Sequence, residues 1–135
     1  MFLFRLSRAL LLMAMAVFLW LGLYALIRPA QVLDSVEIKI ETVDARAEVR
    51  ATYGGMQLAL ALVFLVTSQN RKLYLGGVAL LAVLTTGLLS SRVLSYLIDG
   101  PPGKFTLFLA GIELALFIPT TFVLLIQSHS WGDGN

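Results

Sequence analysis

The chain has no cysteine among its 135 residues, and charged residues make up only 13% of it. Without cysteine, disulfide bonds, thiolate metal sites and thiol nucleophiles are excluded. Soluble domains carry about a quarter charged residues, so the composition of this chain does not suit a water-soluble domain. Hydrophobic residues account for 59% of the sequence, which indicates an integral membrane protein.

Several function classes lack the residues they need. The net charge is +2 and the basic residues are scattered, so we expect no nucleic-acid partner. Gly54-Gly55 is too short for a phosphate loop, which requires a preceding strand and a lysine. No zinc, serine or paired-carboxylate constellation is present. We therefore expect no metal and no cofactor, and we favour a non-catalytic role over an enzyme.

Four long apolar segments dominate the chain, at residues 9–27, 49–67, 73–98 and 105–127. A helix needs about 20 apolar residues to cross a bilayer. The first segment is longer than the core of a secretory signal peptide, about 7 to 15 residues, so we interpret it as a retained span. The sequence predicts one all-α domain over residues 1–135, a polytopic four-transmembrane-helix bundle with a short extramembrane loop or flap between the first two helices.

The connection at residues 31–46 is open to two interpretations. Val36, Ile38 and Ile40 alternate with charged residues, a period of two that is typical of a strand or an extended flap. A solvated loop with chance alternation explains the same residues.

The basic residues near the first span predict the orientation. Arg5 and Arg8 precede this span, whereas Arg28 alone follows it. Because the side richer in Lys and Arg stays in the cytoplasm, we expect both termini to be cytoplasmic.

Charged residues inside the spans mark the candidate site. A charge at the bilayer centre costs about 2.5 to 3.5 kcal/mol on insertion scales, so it needs a partner or a function. Arg92 and Glu113 lie on either side of the turn that starts at Asp99. At 1.5 Å per residue their depths are about 9 and 12 Å below the same membrane face, which makes an ion pair feasible. Arg50 enters the second span from that face.

Helical spacing extends this site into a polar cluster and indicates where helices pack. Polar residues recur at helical spacings of three, four or seven positions on the last three spans and predict a shared inward face. The candidate ligand or polar-cluster residues are Arg50, Tyr53, Gln57, Arg92, Tyr96, Asp99 and Glu113. Small residues that would allow close helix packing are Gly54, Gly55, Gly111 and Ala115.

Structural roles explain the same charges without a ligand. Arg50 and Arg92 are near enough to helix ends to extend their guanidinium groups to the interface. Glu113 is too short for that, and its alternative role is an ion pair with Arg92 that fixes helix register.

The motif Arg50-x-x-Tyr53-Gly54-Gly55-x-Gln57, together with Arg92, Asp99-Gly100-Pro101-Pro102 and Glu113, resembles the bacterial domain of unknown function 4345 family. The resemblance covers nearly the whole chain and implies a small four-helix integral protein of the bacterial inner membrane, with no assigned activity.

Two function classes follow from the candidate site. The first is a non-catalytic binding or scaffold protein, whose Arg/Glu cluster holds an anionic lipid-like ligand or docks a membrane partner, either another protein or a second copy. The second is a small proton-coupled carrier or an intramembrane lipid-modifying enzyme that uses Glu113. Without a duplicated half or a matched pair of broken helices, a carrier is the less favoured class.

Overall fold

The apolar segments form long helices, as backbone groups without water must hydrogen-bond within their own segment. The computed structural model describes residues 1–132, and these residues contain helices and connections but no strand. Four helical segments are long and apolar enough to cross a membrane: Phe2–Ile27, Val43–Gln69, Tyr74–Asp99 and Lys104–Gln127. The all-α, four-span prediction is confirmed.

Helix α1, Phe2–Ile27, includes Arg5 and Arg8 within its first turns rather than starting after them. It ends immediately before Arg28-Pro29, because proline cannot donate the backbone hydrogen bond that would continue the helix.

The connection after α1 contains no strand. A short 3-10 helix covers Asp34–Val36, and Glu37 follows in a left-handed conformation with φ of 60°. The strand hypothesis is therefore wrong, and Val36 and Ile38 are exposed, as in a solvated loop. A period of two is insufficient here, because the segment has no neighbouring strand to satisfy its backbone groups.

The second span begins earlier than residue 49 and has three parts. Helix α2, Val43–Val49, leads into a π-helix, Arg50–Gly55, and then into helix α3, Met56–Gln69. The Thr42 hydroxyl caps α2 by accepting a hydrogen bond from the Ala45 backbone N–H at 3.1 Å.

Helices α4, Tyr74–Asp99, and α5, Lys104–Gly132, pack against each other as a hairpin. Gly100, with φ of 95°, ends α4 in a conformation that favours glycine, and Pro101 and Pro102 prevent its continuation. Helix α5 continues through Pro119 and beyond the predicted end of the span at residue 127.

The chain divides into two compact units. The unit Leu12–Val66 contains Phe18 and Phe64, two buried rings whose centroids are 5.4 Å apart. The other unit consists of Met1–Leu11 and the chain from Thr67 onward, and its core includes Leu11, Val78, Leu81 and Val123. The single-domain assignment of residues 1–135 stays a prediction.

Candidate functional site

The ion pair expected between α4 and α5 is present. The Arg92 Nε–H group donates to Glu113 Oε2 at 2.6 Å, and Arg92 Nη2 donates to Glu113 Oε1 at 2.6 Å. Two parallel N–H···O bonds between a planar guanidinium and a carboxylate are the strongest common form of such a pair. The charges that the two helices bring into the apolar region therefore neutralise each other.

The α4–α5 turn brings the two residues together. Gly100 and the two prolines reverse the chain, so Arg92, near the end of α4, meets Glu113 early in α5. Their similar distance from the turn sets the register, and neither backbone has to distort to form the pair.

Burial changes along the stripe of α4 that carries Arg92. Val78, Leu81 and Thr85 share this stripe by helical spacing and are buried. The Arg92 side chain is 26% exposed, and Tyr96, one turn further, is 55% exposed. The leucine one turn before Arg92 is already 44% exposed, so the ion pair lies in the exposed part of the stripe.

Helix α5 shows the same arrangement. The Glu113 side chain is 13% exposed, while Thr120, seven positions further on the same stripe, is fully buried. The hydroxyl groups of Thr85 and Thr120 donate to carbonyls of their own helices, Leu81 O and Leu116 O respectively. Arg92 and Glu113 are therefore the charged members of an otherwise internally satisfied interface.

Polar groups remain around the open end of the stripe. Arg92 has five N–H donors, of which two bind Glu113. The Ser95 hydroxyl donates to Asp99 Oδ2 at 3.0 Å, and both residues are exposed. Donors and acceptors that a ligand could use are thus concentrated on the last two turns of α4.

The predicted residues of the second span lie in the other compact unit. Arg50 Nε donates to Leu26 O at 3.2 Å, a carbonyl in the last turn of α1. Helix ends leave such carbonyls without an intrahelical partner, so Arg50 has a structural role in joining the second span to α1. Tyr53 is exposed, and the buried Gln57 Oε1 accepts no hydrogen bond from the described residues. The combined seven-residue cluster stays a prediction.

Of the four residues predicted to allow close helix packing, one is buried and three are exposed. Gly54 is buried against α1, where a Cβ atom would lie 2.6 Å from Leu26 Cδ2. Gly55, Gly111 and Ala115 are exposed, and a Cβ on Gly111 would have no neighbouring atom within 4 Å. Close helix packing at these three residues stays a prediction.

Sequence reasoning missed two glycines that do allow close packing. A Cβ on Gly22 would lie 2.8 Å from Leu58 Cδ2, and one on Gly77 would collide with the Thr67 side chain. Each is a glycine in an apolar helix, which was the available signal, but the contact face depends on the partner helix.

Comparison with known proteins adds a family but no function. A family model described as Domain of unknown function (DUF4345) matches residues 6–125, nearly the whole chain. No curated protein and no solved structure matches significantly.

Proposed function

We propose that this chain, which belongs to the family described as domain of unknown function (DUF4345), is a non-catalytic membrane protein that binds the acidic head of a lipid-like molecule at the Arg92–Glu113 ion pair. The described residues include four helices that are long and apolar enough to cross a membrane. We place the protein in the bacterial inner membrane, as a multi-pass protein with cytoplasmic termini, from the family resemblance and from the basic residues before the first span.

The observation that carries this proposal is the position of the ion pair in the exposed part of the α4 stripe, beyond the buried Thr85. A charged side chain that is exposed to acyl chains within the hydrocarbon region raises the free energy of the protein. A polar group from another molecule removes that cost when it covers Arg92 and the neighbouring Tyr96. A stripe that only fixed helix register would gain more stability by being closed at both ends.

The chemistry of the open side favours a head group that accepts hydrogen bonds. The guanidinium of Arg92 is donor-only, and the N–H groups that Glu113 does not use suit the oxygens of a carboxylate or phosphate. The Arg92–Glu113 pair has no net charge by itself.

The alternative, a proton-coupled carrier or lipid-modifying enzyme that uses Glu113, has less support. Both carboxylate oxygens accept N–H groups from Arg92, so a transferable proton at Glu113 would require both hydrogen bonds to break in each cycle. A fixed pair is better suited to holding a ligand than to shuttling a proton.

Native mass spectrometry of the full chain, purified in a mild detergent, tests this proposal. We expect the wild-type chain to retain an acidic amphiphile, and Tyr96→Phe to lower its occupancy because a hydroxyl donor beside Arg92 is lost. Tyr24→Phe is the matched control, since Tyr24 stacks on Trp20 of its own helix at 6.0 Å, and we expect it to retain the amphiphile.

Three results would contradict the proposal. They are a wild-type chain with no bound amphiphile, equal occupancy in the two tyrosine variants, and retention of a polypeptide or a second copy in place of the amphiphile. The last result would instead support the scaffold function, in which a membrane partner covers the same stripe.

A further inference from the structure

A pocket separate from the Arg92–Glu113 ion pair lies between the beginning of α1 and the α3–α4 turn. Its open volume is about 310 Å³, and Met1, Phe4, Arg71 and Tyr74 line it. We call it the Arg71 pocket. All four residues belong to the unit made of Met1–Leu11 and the chain from Thr67 onward.

Aromatic contacts hold the cation of this pocket in place. The Arg71 guanidinium carbon lies 5.1 Å from the centroid of the Phe4 ring, a cation–π distance. The Phe4 ring in turn meets Tyr74 edge to face, with centroids 5.2 Å apart and planes at 88°. Gln127 Nε2 donates to the Tyr74 hydroxyl at 3.2 Å, which orients the tyrosine.

This arrangement favours an anion with several oxygens. The cation–π contact with Phe4 uses no oxygen acceptor, so the N–H donors of the Arg71 guanidinium can make a bidentate contact with such an anion. Arg71 is exposed, so these donors are accessible from outside the chain.

Charge around the pocket has one sign. Residues 1–33 and 67–98 contain no aspartate or glutamate. In addition to Arg71, the same stretches contain Arg5, Arg8 and Lys72. These three cations are exposed in the structure. An anion at the Arg71 pocket would therefore meet attraction from several cations and no nearby carboxylate within these stretches.

The pocket also lies at one end of the apolar helices, and the end of a membrane-spanning helix is where the chain meets lipid head groups. Two membrane-competent helices begin beside it, one at Phe2 and one at Tyr74. Tyrosine and arginine are typical of the interface between hydrocarbon and water.

We infer that the Arg71 pocket docks the phosphate of an anionic phospholipid from the surrounding leaflet. Arg71 binds the phosphate oxygens, and the rings of Phe4 and Tyr74 contact the apolar part of the lipid next to the head group. The inference does not depend on the proposed function, because it uses none of the residues of the Arg92–Glu113 ion pair.

The test is a lipid titration of the full chain in neutral detergent, followed by native mass spectrometry. The probes are phosphatidylglycerol and phosphatidylcholine with identical acyl chains. We expect phosphatidylglycerol to bind more tightly to the wild type. Arg71→Gln should weaken phosphatidylglycerol binding roughly fivefold, the change that follows from losing one interfacial cation.

Arg28→Gln is the matched control, because Arg28 is an exposed arginine just after the far end of α1. We expect its affinity for phosphatidylglycerol to equal that of the wild type. Arg71→Lys should give an intermediate affinity, since it keeps the charge and loses the bidentate fork.

Unchanged binding in Arg71→Gln, or equal losses in Arg71→Gln and Arg28→Gln, would overturn the inference. Inorganic phosphate that displaces phosphatidylglycerol at equal concentration would also overturn it, because the site would then bind free phosphate rather than lipid. These outcomes leave the comparison of Tyr96→Phe with Tyr24→Phe unaffected, so the two proposals can fail separately.

Discussion

Arg92 and Glu113 stabilise the α4–α5 hairpin only as a pair. Each side chain is mostly buried, at 26% and 13% exposure, and each satisfies the other through two hydrogen bonds. Removal of one partner leaves a charge in an apolar setting, whereas replacement of both by apolar side chains of similar volume leaves none.

The first prediction is a double-mutant cycle on this pair. We expect Arg92→Met and Glu113→Leu each to lower the free energy of unfolding by about 1 to 3 kcal/mol, and the double variant to lose less than either single variant. Unfolding in mixed micelles of increasing denaturing-detergent content measures the change. A double variant that loses as much as the two single variants combined would show that the pair is not coupled.

At this scale the sequence predicts the Arg92–Glu113 contact because both depths are measured from one tight turn. Arg50 has no such reference point, and its partner is the backbone carbonyl of Leu26, an atom that every residue carries. Gly111 and Ala115 have suitable size and spacing, yet their face of α5 is exposed. Spacing indicates that residues share a face but not which face meets another helix.

At the scale of the element, the π-helix Arg50–Gly55 is where the second span meets α1. Gly54 lies in it against Leu26, and Arg50 bonds the Leu26 carbonyl. π-helical turns are rare and often occur at functional sites. This one positions a cation and a close backbone contact on the same side of α1.

The second prediction concerns this close contact. Gly54→Ala should destabilise the protein by about 1 to 3 kcal/mol, because the new Cβ would lie 2.6 Å from Leu26 Cδ2. Gly111→Ala is the control, with no atom within 4 Å of the added methyl, and it should be neutral or slightly stabilising through helix propensity. Thermal unfolding in detergent measures both, and equal stability of the two variants would contradict the contact.

The third prediction tests the beginning of the second span. Thr42→Ala removes the cap on the Ala45 N–H group and should cost about 1 kcal/mol, while Thr42→Ser should retain most of the stability. Hydrogen exchange of the α2 amides would report the loss locally. Unchanged exchange in Thr42→Ala would mean that α2 begins independently of its cap.

The existence of the long helices follows from apolar length, and their ends follow from local chemistry. Pro29 and Gly100 mark ends that the sequence predicts well. The sequence predicts a second span from residue 49, later than the observed start at Val43, because the first turn of α2 is charged and lies outside the apolar segment. The Thr42 cap is the usable signal for this start. The π-helix has no sequence signature that distinguishes it from an α-helix.

For the whole molecule, apolar content and segment length were sufficient to predict a four-span helical protein. Contacts between helices were harder to predict, since apolar side chains gain little from facing each other rather than lipid. The orientation rests on a few basic residues, chiefly Arg5 and Arg8, which precede the first span.

The fourth prediction tests that orientation, and the absence of native cysteine makes it direct. A membrane-impermeant maleimide added to intact cells should label Lys39→Cys in the loop after α1. It should label Asn70→Cys, in the α3–α4 turn, only after the cells are opened. The reverse labelling pattern would place the termini on the outer side.

What covers the open stripe beside Arg92 can be measured by photo-cross-linking. A benzophenone amino acid introduced at Tyr96 reports on that stripe, and the same amino acid at Val83, 70% exposed on the opposite face of α4, reports on bulk lipid. We expect the Tyr96 position to capture one acidic amphiphile and the Val83 position to capture the mixture of surrounding lipids. Identical products at both positions, or a cross-linked polypeptide at Tyr96, would contradict a ligand site at the Arg92–Glu113 ion pair.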